Sequence, residues 1–112
     1  FDDIKDNFTI MKEEPFGPLV PILTFKTFDE VIERANDNDL GLCSYLYTNS
    51  MDKAHIGSEK LESGCVAVNT GVVAIAEAPF GGIKQTGYGR EGGSGAIKDY
   101  LNVKYTHMGL KI

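Results

Sequence analysis

Apolar and polar positions along this chain follow two periods, one typical of strands and one typical of helices. Branched apolar residues fill residues 9–11 and nearly all of residues 19–25 (LVPILTF), and such continuous runs predict strands that are covered on both faces. Pro21 places the second of these at a sheet edge or next to an irregularity, because proline cannot donate a ladder hydrogen bond. Apolar runs at residues 42–47 and 65–68 predict two further buried strands.

Two segments carry the helical period instead. The first predicted helix starts at Thr27 and stops within residues 36–39, and its apolar positions follow the spacing i, i+3, i+4 and i+7: Phe28, Val31, Ile32 and Ala35. The second covers residues 51–62, after a turn that supplies its N-cap. Strands separated by helices of this length indicate βαβ units. We therefore expect an α/β fold with a mostly parallel sheet.

The last third of the chain no longer alternates between predicted strands and long helices. A loop over residues 69–79 leads into residues 80–95, which hold seven of the 13 glycines. A short helix with one apolar face follows at residues 96–101. Residues 102–108 then alternate in the strand period, and nothing evident in the chain pairs with them, so we expect this strand to join the sheet of another subunit.

Composition narrows the class of protein. Hydrophobic residues make up 42% and charged residues 24% of 112 residues, which is typical of one globular domain. Eleven basic against 16 acidic residues give a net charge of -5 with no basic cluster, so we expect no nucleic-acid partner. No apolar stretch approaches the length of a membrane span, and we expect no membrane partner. The chain starts at Phe1 rather than Met, so its visible start need not be the natural one.

The two cysteines, Cys43 and Cys65, each lie inside an apolar run and form no CxxC pair. We expect free, buried thiols and a cytoplasmic location. A thiol nucleophile would need His55 or His107 beside it, and burial in a strand makes a thiol unreactive. Two histidines and two cysteines also lack the spacing of metal ligands, so no metal site is expected.

Two motifs are candidates for ligand binding. Residues 87–92 match GxGxxG, but no strand precedes them and no carboxylate lies near position 107, so a glycine-rich packing turn is favoured over a dinucleotide fingerprint. The pair Glu13 and Glu14 precedes a stiff Pro-Phe-Gly-Pro segment. It is either a solvated charge pair or the carboxylate acceptor for vicinal ribose hydroxyls, with an aromatic ring beside it.

These motifs resemble a known family. Residues 13–18 (EEPFGP) look like the E-x-F-G-P motif of the aldehyde dehydrogenase superfamily, and residues 79–92 (PFGGIKQTGYGREG) resemble its P-F-G-G-x-K-x-S-G-x-G-R-E signature. The order and separation of the motifs match, and the likeness covers essentially the whole chain. Residues 69–71 and 99–105 are most similar to the succinate-semialdehyde dehydrogenase branch.

The resemblance implies a C-terminal piece of an NAD- or NADP-dependent enzyme that oxidises an aldehyde to a carboxylate through a cysteine thioester. The nucleophilic cysteine, the general base and the dinucleotide-binding domain would lie upstream, so this piece would hold no catalytic residue and be inactive alone. Residues 1–101 would end the catalytic domain, and residues 102–112 would form the oligomerisation strand and tail. The implied partners are the remainder of the parent enzyme, further copies of it through the 102–108 strand, and a small aldehyde.

Four site residues follow from the likeness. Glu14 matches the glutamate that accepts hydrogen bonds from the nicotinamide-side ribose, and Phe16 matches the aromatic packed beside it. Phe80 matches a ring lining the substrate tunnel. Ala74 stands where the succinate-semialdehyde branch usually has a serine that binds the substrate carboxylate. This departure disfavours succinate semialdehyde itself and suggests a less polar aldehyde.

Two other functions remain open from the residues. One is an autonomous binding or assembly module that keeps this shape without the chemistry. The other is a small thiol enzyme that uses Cys65.

Overall fold

A computed structural model describes residues 2–111, so residue 1, the first of the predicted domain 1–101, and residue 112, the last of the predicted segment 102–112, lie outside the described residues. The elements in chain order are a 3₁₀ helix at Thr9–Met11, α1 at Phe28–Asn36, β1 at Leu40–Gly41, β2 at Cys43–Leu46, α2 at Met51–Lys60, β3 at Cys65–Val68, β4 at Ile83–Lys84 and a second 3₁₀ helix at Ala96–Tyr100.

Both predicted helices are present, and side-chain caps fix where they begin. The Thr27 hydroxyl accepts a hydrogen bond from the Glu30 N–H at 3.2 Å, and the Glu30 carboxylate accepts one from the Lys26 N–H at 2.8 Å. Ser50 caps α2 in the same way, through the Lys53 N–H at 3.3 Å. Because these contacts satisfy N–H groups that have no partner inside a helix, the local sequence alone sets both N-termini. Helix α2 ends at Lys60, two residues before the predicted end.

The strands form two small sheets. Strands β2 and β3 pair in parallel, from Cys43 opposite Cys65 to Leu46 opposite Val68, and α2 connects them. Strands β1 and β4 pair antiparallel. The α/β class is therefore confirmed, whereas a mostly parallel sheet is not, because one two-stranded sheet is parallel and the other is antiparallel.

Helix α2 packs closely on the parallel pair. A Cβ at Gly57 would lie 2.5 Å from Leu46 Cδ2 and 3.4 Å from the Phe28 ring. The glycine therefore allows the helix to approach both β2 and α1.

Two predicted strands near the start of the chain are wrong. Residues 9–11 form a 3₁₀ helix, and residues 19–25 form no strand. The second run is apolar enough to be covered, yet Ile22 is 60% exposed and Phe25 is 55% exposed. A strand needs a neighbouring strand for its backbone hydrogen bonds, and no described segment supplies one there.

The C-terminal tail forms no ladder in the described part of the chain. The short predicted helix at 96–101 is the 3₁₀ helix at Ala96–Tyr100, and residues 97–111 are all exposed. The strand predicted over residues 102–108 therefore has no partner here, and its place in an oligomer stays a prediction.

The described residues bury little of their apolar surface. Ile32 and Ala67 are the buried hydrophobic side chains among them. The accessible surface is 9431 Å², whereas a folded monomer of 12.2 kDa exposes about 6,100 Å². The radius of gyration is 19.5 Å, against about 13 Å for a compact domain of this length. Within residues 2–111, no helix has the length and apolar character that crossing a membrane requires.

Candidate functional site

A groove of about 790 Å³ brings together residues from four separate parts of the chain, at 10–21, 35–45, 63 and 73–86. Three of the four predicted site residues line it: Glu14, Ala74 and Phe80. Phe16 does not line it, and its ring is 96% exposed. The structure thus places the predicted cofactor carboxylate and the predicted tunnel wall at one groove, with the predicted aromatic ring projecting into solvent.

Glu14 lies three residues after the end of the first 3₁₀ helix. The N–H groups of Lys12 and Glu13 both donate to the Thr9 carbonyl at 2.9 Å, which fixes the turn just before it. The Glu14 side chain is exposed and makes no hydrogen bond or ion pair to any residue from 2 to 111. Both carboxylate oxygens are therefore available to accept hydrogen bonds from a ligand.

One arginine holds both ends of the segment that carries Glu14. The Arg34 guanidinium donates to Asp6 Oδ1 at 2.7 Å and to the Thr24 carbonyl at 2.9 Å. The hydrogen bond to Asp6 raises the Arg34 pKa. Since Arg34 lies on α1, the helix anchors a segment that has no regular structure beyond one 3₁₀ turn. Sequence reasoning missed this role, because the partners are 28 and 10 residues away and follow no local pattern.

Hydrogen bonds on the opposite wall hold Phe80 and the loop before it. Phe80 and Glu91 exchange two backbone hydrogen bonds at 2.7 Å, and the Ala76 carbonyl accepts one from the Gly93 N–H at 2.9 Å. Gly92 has φ +65°, and a Cβ there would lie 2.7 Å from the Ala78 carbonyl oxygen. The last glycine of the GxGxxG match therefore permits close backbone packing, which agrees with the packing turn favoured from the sequence.

Polar side chains of the glycine-rich segment tie it to the rest of the structure. Thr86 Oγ1 accepts from the Gly41 N–H at 2.9 Å, and Arg90 donates to the carbonyls of Gly82 at 2.9 Å and Gly89 at 2.6 Å. Thr86 stands where the signature usually has a serine, and its hydroxyl thus accepts a hydrogen bond that ties the segment to β1.

Lys84 makes the most connections in this segment. Its ammonium donates to the Asn36 carbonyl at 2.8 Å and the Asn38 carbonyl at 3.0 Å, and it pairs with Glu62. The residue adopts φ +55°, a conformation that is unfavourable for a lysine. The structure therefore offsets local strain with contacts that join β4 to the end of α1. The roles of Lys84 and Arg90 were also missed, although both occupy fixed positions of the signature.

The two cysteines are free, as predicted, but they are half-buried rather than buried. Burial raises the pKa of the Cys43 thiol, and the neighbouring Cys65 side chain raises it further. His55 instead pairs with Glu59 at 3.6 Å, and His107 contacts the Tyr105 hydroxyl at 3.3 Å. Neither histidine hydrogen-bonds a cysteine in the described part of the chain, so the structure gives no support to a thiol enzyme. It also shows no group of three potential metal ligands among residues 2–111.

Comparison with known proteins gives consistent matches along the chain. The sequence model of the aldehyde dehydrogenase family matches residues 1–106. The chain is 45% identical over 108 residues to succinate-semialdehyde dehydrogenase [NADP(+)] of Escherichia coli, covering 96% of this chain and 22% of that protein. It is 50% identical over 104 residues to retinaldehyde dehydrogenase 3 of Rattus norvegicus, covering 93% of this chain and 20% of that protein.

A solved structure shares the fold as well. The NAD+ complex of aldehyde dehydrogenase from Bacillus cereus superposes with a TM-score of 0.88 and 46% identity, covering 91% of this chain and 21% of that one. This chain thus spans about a fifth of the length of the relatives it matches.

Proposed function

The chain belongs to the aldehyde dehydrogenase family, and on that premise we propose that it forms the C-terminal part of an NAD(P)-dependent enzyme that oxidises an aldehyde to a carboxylate. Its share of the work is to hold the cofactor ribose, shape the substrate tunnel and join subunits. We call the longer protein that carries this segment the intact enzyme.

The observation that carries the proposal is the shared groove. Glu14 and Phe80 are 66 positions apart by their numbers, yet they line one groove with Ala74 between them in sequence. A carboxylate for the ribose and an apolar wall for the aldehyde must lie close together, because the hydride moves directly between substrate and cofactor. The juxtaposition supports this pairing of roles.

The residues present fit a nicotinamide dinucleotide. The Glu14 carboxylate has no partner among the described residues, and two oxygens suit the two vicinal hydroxyls of a ribose. The exposed Phe16 ring can pack beside that sugar and the nicotinamide. When bound, the cofactor supplies the hydride acceptor. The part of this chain is to orient it, since a displacement of about 1 Å can cost about 100-fold in rate.

The wall of the groove suggests the class of aldehyde. Val73 and Ala74 line it and offer no hydroxyl or charge to a substrate carboxylate. Of the relatives above, one is named for succinate semialdehyde and one for retinaldehyde. The apolar wall at Val73 and Ala74 favours an aldehyde that carries no carboxylate over a succinate-semialdehyde-like one.

The remainder of the parent enzyme is the proposed covering partner. The excess surface and the exposed side chains of residues 19–25 are typical of a segment that packs against more protein. The same surface disfavours an autonomous module, which would need its own core. The nucleophilic cysteine would come from that remainder, so the isolated segment is proposed to be inactive. Residues 102–108 are proposed to add a strand to a partner subunit in the assembled enzyme.

The test compares two neighbouring carboxylates in the intact enzyme. Glu14→Gln should slow hydride transfer in a single turnover by about 100-fold, because the ribose loses its charged acceptor, while aldehyde affinity changes little. Glu13 also lines the groove but directly precedes the Glu14 that matches the first position of the E-x-F-G-P motif, so Glu13→Gln makes the same change in charge and should leave the rate near that of the unmodified enzyme. Equal rates for the two variants would contradict the assignment of Glu14.

A further inference from the structure

Two thiols lie opposite each other in the parallel ladder. Cys43 and Cys65 are register partners at the start of β2 and β3. Side chains of register partners in a parallel pair project on the same face of the sheet. The following pair, Ser44 and Val66, projects on the other face, where Ser44 contacts Ser63.

The two thiols lie close to the groove wall. Cys43 lines the groove, and Cys65, which does not line it, donates from Sγ toward the Gly81 carbonyl oxygen at 3.7 Å. Gly81 directly follows Phe80. Within the described residues, both cysteines are half-buried.

The spacing permits a bond between the sulfurs. Paired strands lie about 4.8 Å apart, and the Cα atoms of a disulfide are usually about 4.4–6.8 Å apart. A disulfide also needs Cβ atoms about 3.8 Å apart, which is closer than the strand spacing, so the bond would be strained and easily reduced. Strained disulfides are the labile ones.

We propose that Cys43 and Cys65 form a reversible dithiol–disulfide pair on one face of the β2–β3 ladder, with hydrogen peroxide as the oxidant. The proposal does not depend on the dehydrogenase chemistry. Neither thiol is assigned a role in the reaction above, and the family likeness does not place the nucleophile at either position.

The chemistry balances in two steps. One thiolate attacks a peroxide oxygen, the O–O bond breaks, and the products are a sulfenic acid and, after protonation, water. The second thiolate attacks the sulfenic sulfur, the S–S bond forms as the S–O bond breaks, and the hydroxide that leaves is protonated to a second water. The two sulfurs together lose two electrons, and the peroxide gains them. The raised pKa of Cys43 makes the first step slow, whereas the register directs the product to a disulfide.

The bond would change the groove wall. Cys65 would lose the S–H that faces the Gly81 carbonyl, and the two strands would be drawn together beneath the loop that carries Phe80. We expect the aldehyde KM of the intact enzyme to shift on oxidation and return on reduction. That readout rests on the proposed function, whereas formation of the bond does not.

Peptide mapping tests the bond directly. Trypsin places Cys43 in peptide 35–53 and Cys65 in peptide 61–84. After hydrogen peroxide treatment of the intact enzyme, we expect these two peptides to appear linked, lighter than their sum by two hydrogens, and to separate with dithiothreitol. The matched control is Cys65→Val combined with Val66→Cys, which keeps the composition but moves the thiol to the other face. The linked species should be lost in it.

Three results would overturn the proposal: sulfinic acid on either cysteine without linked peptides, no reaction of either thiol in the native enzyme, or links between two copies of the same peptide. If the native enzyme gives the linked peptides and its aldehyde KM does not change, the bond stands and its proposed effect on the tunnel wall is wrong.

Discussion

Replacing Lys84 is the sharpest test of how the glycine-rich segment is held. The ammonium donates to two carbonyls at the end of α1, and the side chain is only 25% exposed. Lys84→Met keeps most of the side-chain volume and removes both hydrogen bonds and the positive charge at the helix C-terminus. Hydrogen bonds to charged groups contribute about 1.5–3 kcal/mol each when buried, and partial exposure lowers this. We expect a loss of about 2–3 kcal/mol in local stability.

Amide hydrogen exchange in the intact enzyme measures this loss where it occurs. Exchange in the last turn of α1 should become about 30- to 150-fold faster, which corresponds to the free energy above. Lys60→Met is the matched control, since Lys60 pairs with Asp29 at 3.8 Å and both side chains are more than half exposed. Its effect should stay below about 0.5 kcal/mol.

A second variant separates the contacts of Lys84 from its strained backbone. Lys84→Gly also removes the ammonium, but glycine adopts φ +55° without the penalty of about 1–2 kcal/mol that other residues incur. It should therefore be about 1 kcal/mol less damaging than Lys84→Met. If Lys84→Met and Lys60→Met cost the same, the role assigned to the ammonium is refuted. If glycine is the more damaging replacement at position 84, the strain argument is refuted.

Three further outcomes are expected in the intact enzyme. Thr27→Ala should destabilise α1 by about 1 kcal/mol through loss of the cap, and Thr27→Ser by much less, as measured by exchange in its first turn. The hydrogen bond from the Lys26 N–H lowers the Glu30 pKa below 4.5, so Glu30 contributes stability above that pH and loses it as pH falls through the lower folded value. Glu30→Gln should therefore weaken the dependence of α1 stability on pH in the acid range. Glu33→Gln makes the same change in charge on the same helix and should leave that dependence unchanged. If the remainder of the enzyme covers the Phe25 ring, Phe25→Ala should lower the free energy of unfolding, measured by thermal unfolding, by about 3–5 kcal/mol. A loss below about 0.5 kcal/mol would show that the ring stays exposed.

The parts of the fold that the sequence predicts well are those that short-range contacts decide. Thr27 and Ser50 cap helices within three residues, and the β2 and β3 runs are bounded by turns close by. Strand β4 was missed because its pairing with β1 joins positions 40 and 84, and two residues in a glycine-rich segment carry no periodic signal. The strand predicted over residues 19–25 is wrong because apolar composition indicates that a segment is covered. It does not indicate which part of the protein covers the segment or which backbone conformation the segment adopts.

The residues of the candidate site also separate into those that the local sequence predicts and those that long-range contacts decide. Glu14 and Phe80 could be named because each lies in a motif whose likeness assigns it a role. Arg34 could not, since its bonds to Asp6 and Thr24 exist only once α1 and the preceding segment have folded together. A residue that positions a site through distant backbone contacts leaves no pattern in a single sequence.

Hydrogen bonds and hydrophobic packing contribute differently to the stability of the groove. The walls of the groove are held by contacts within the chain, through Arg34 on one side and the Phe80–Glu91 bridge on the other. The apolar faces behind those walls remain uncovered in the described residues, so the hydrophobic free energy that would fix the walls relative to each other has to come from outside the segment. The local hydrogen bonds therefore define the shape of each wall. The packing of the remaining protein would determine the width of the groove, and with it how closely Glu14 and Phe80 can hold two reactants.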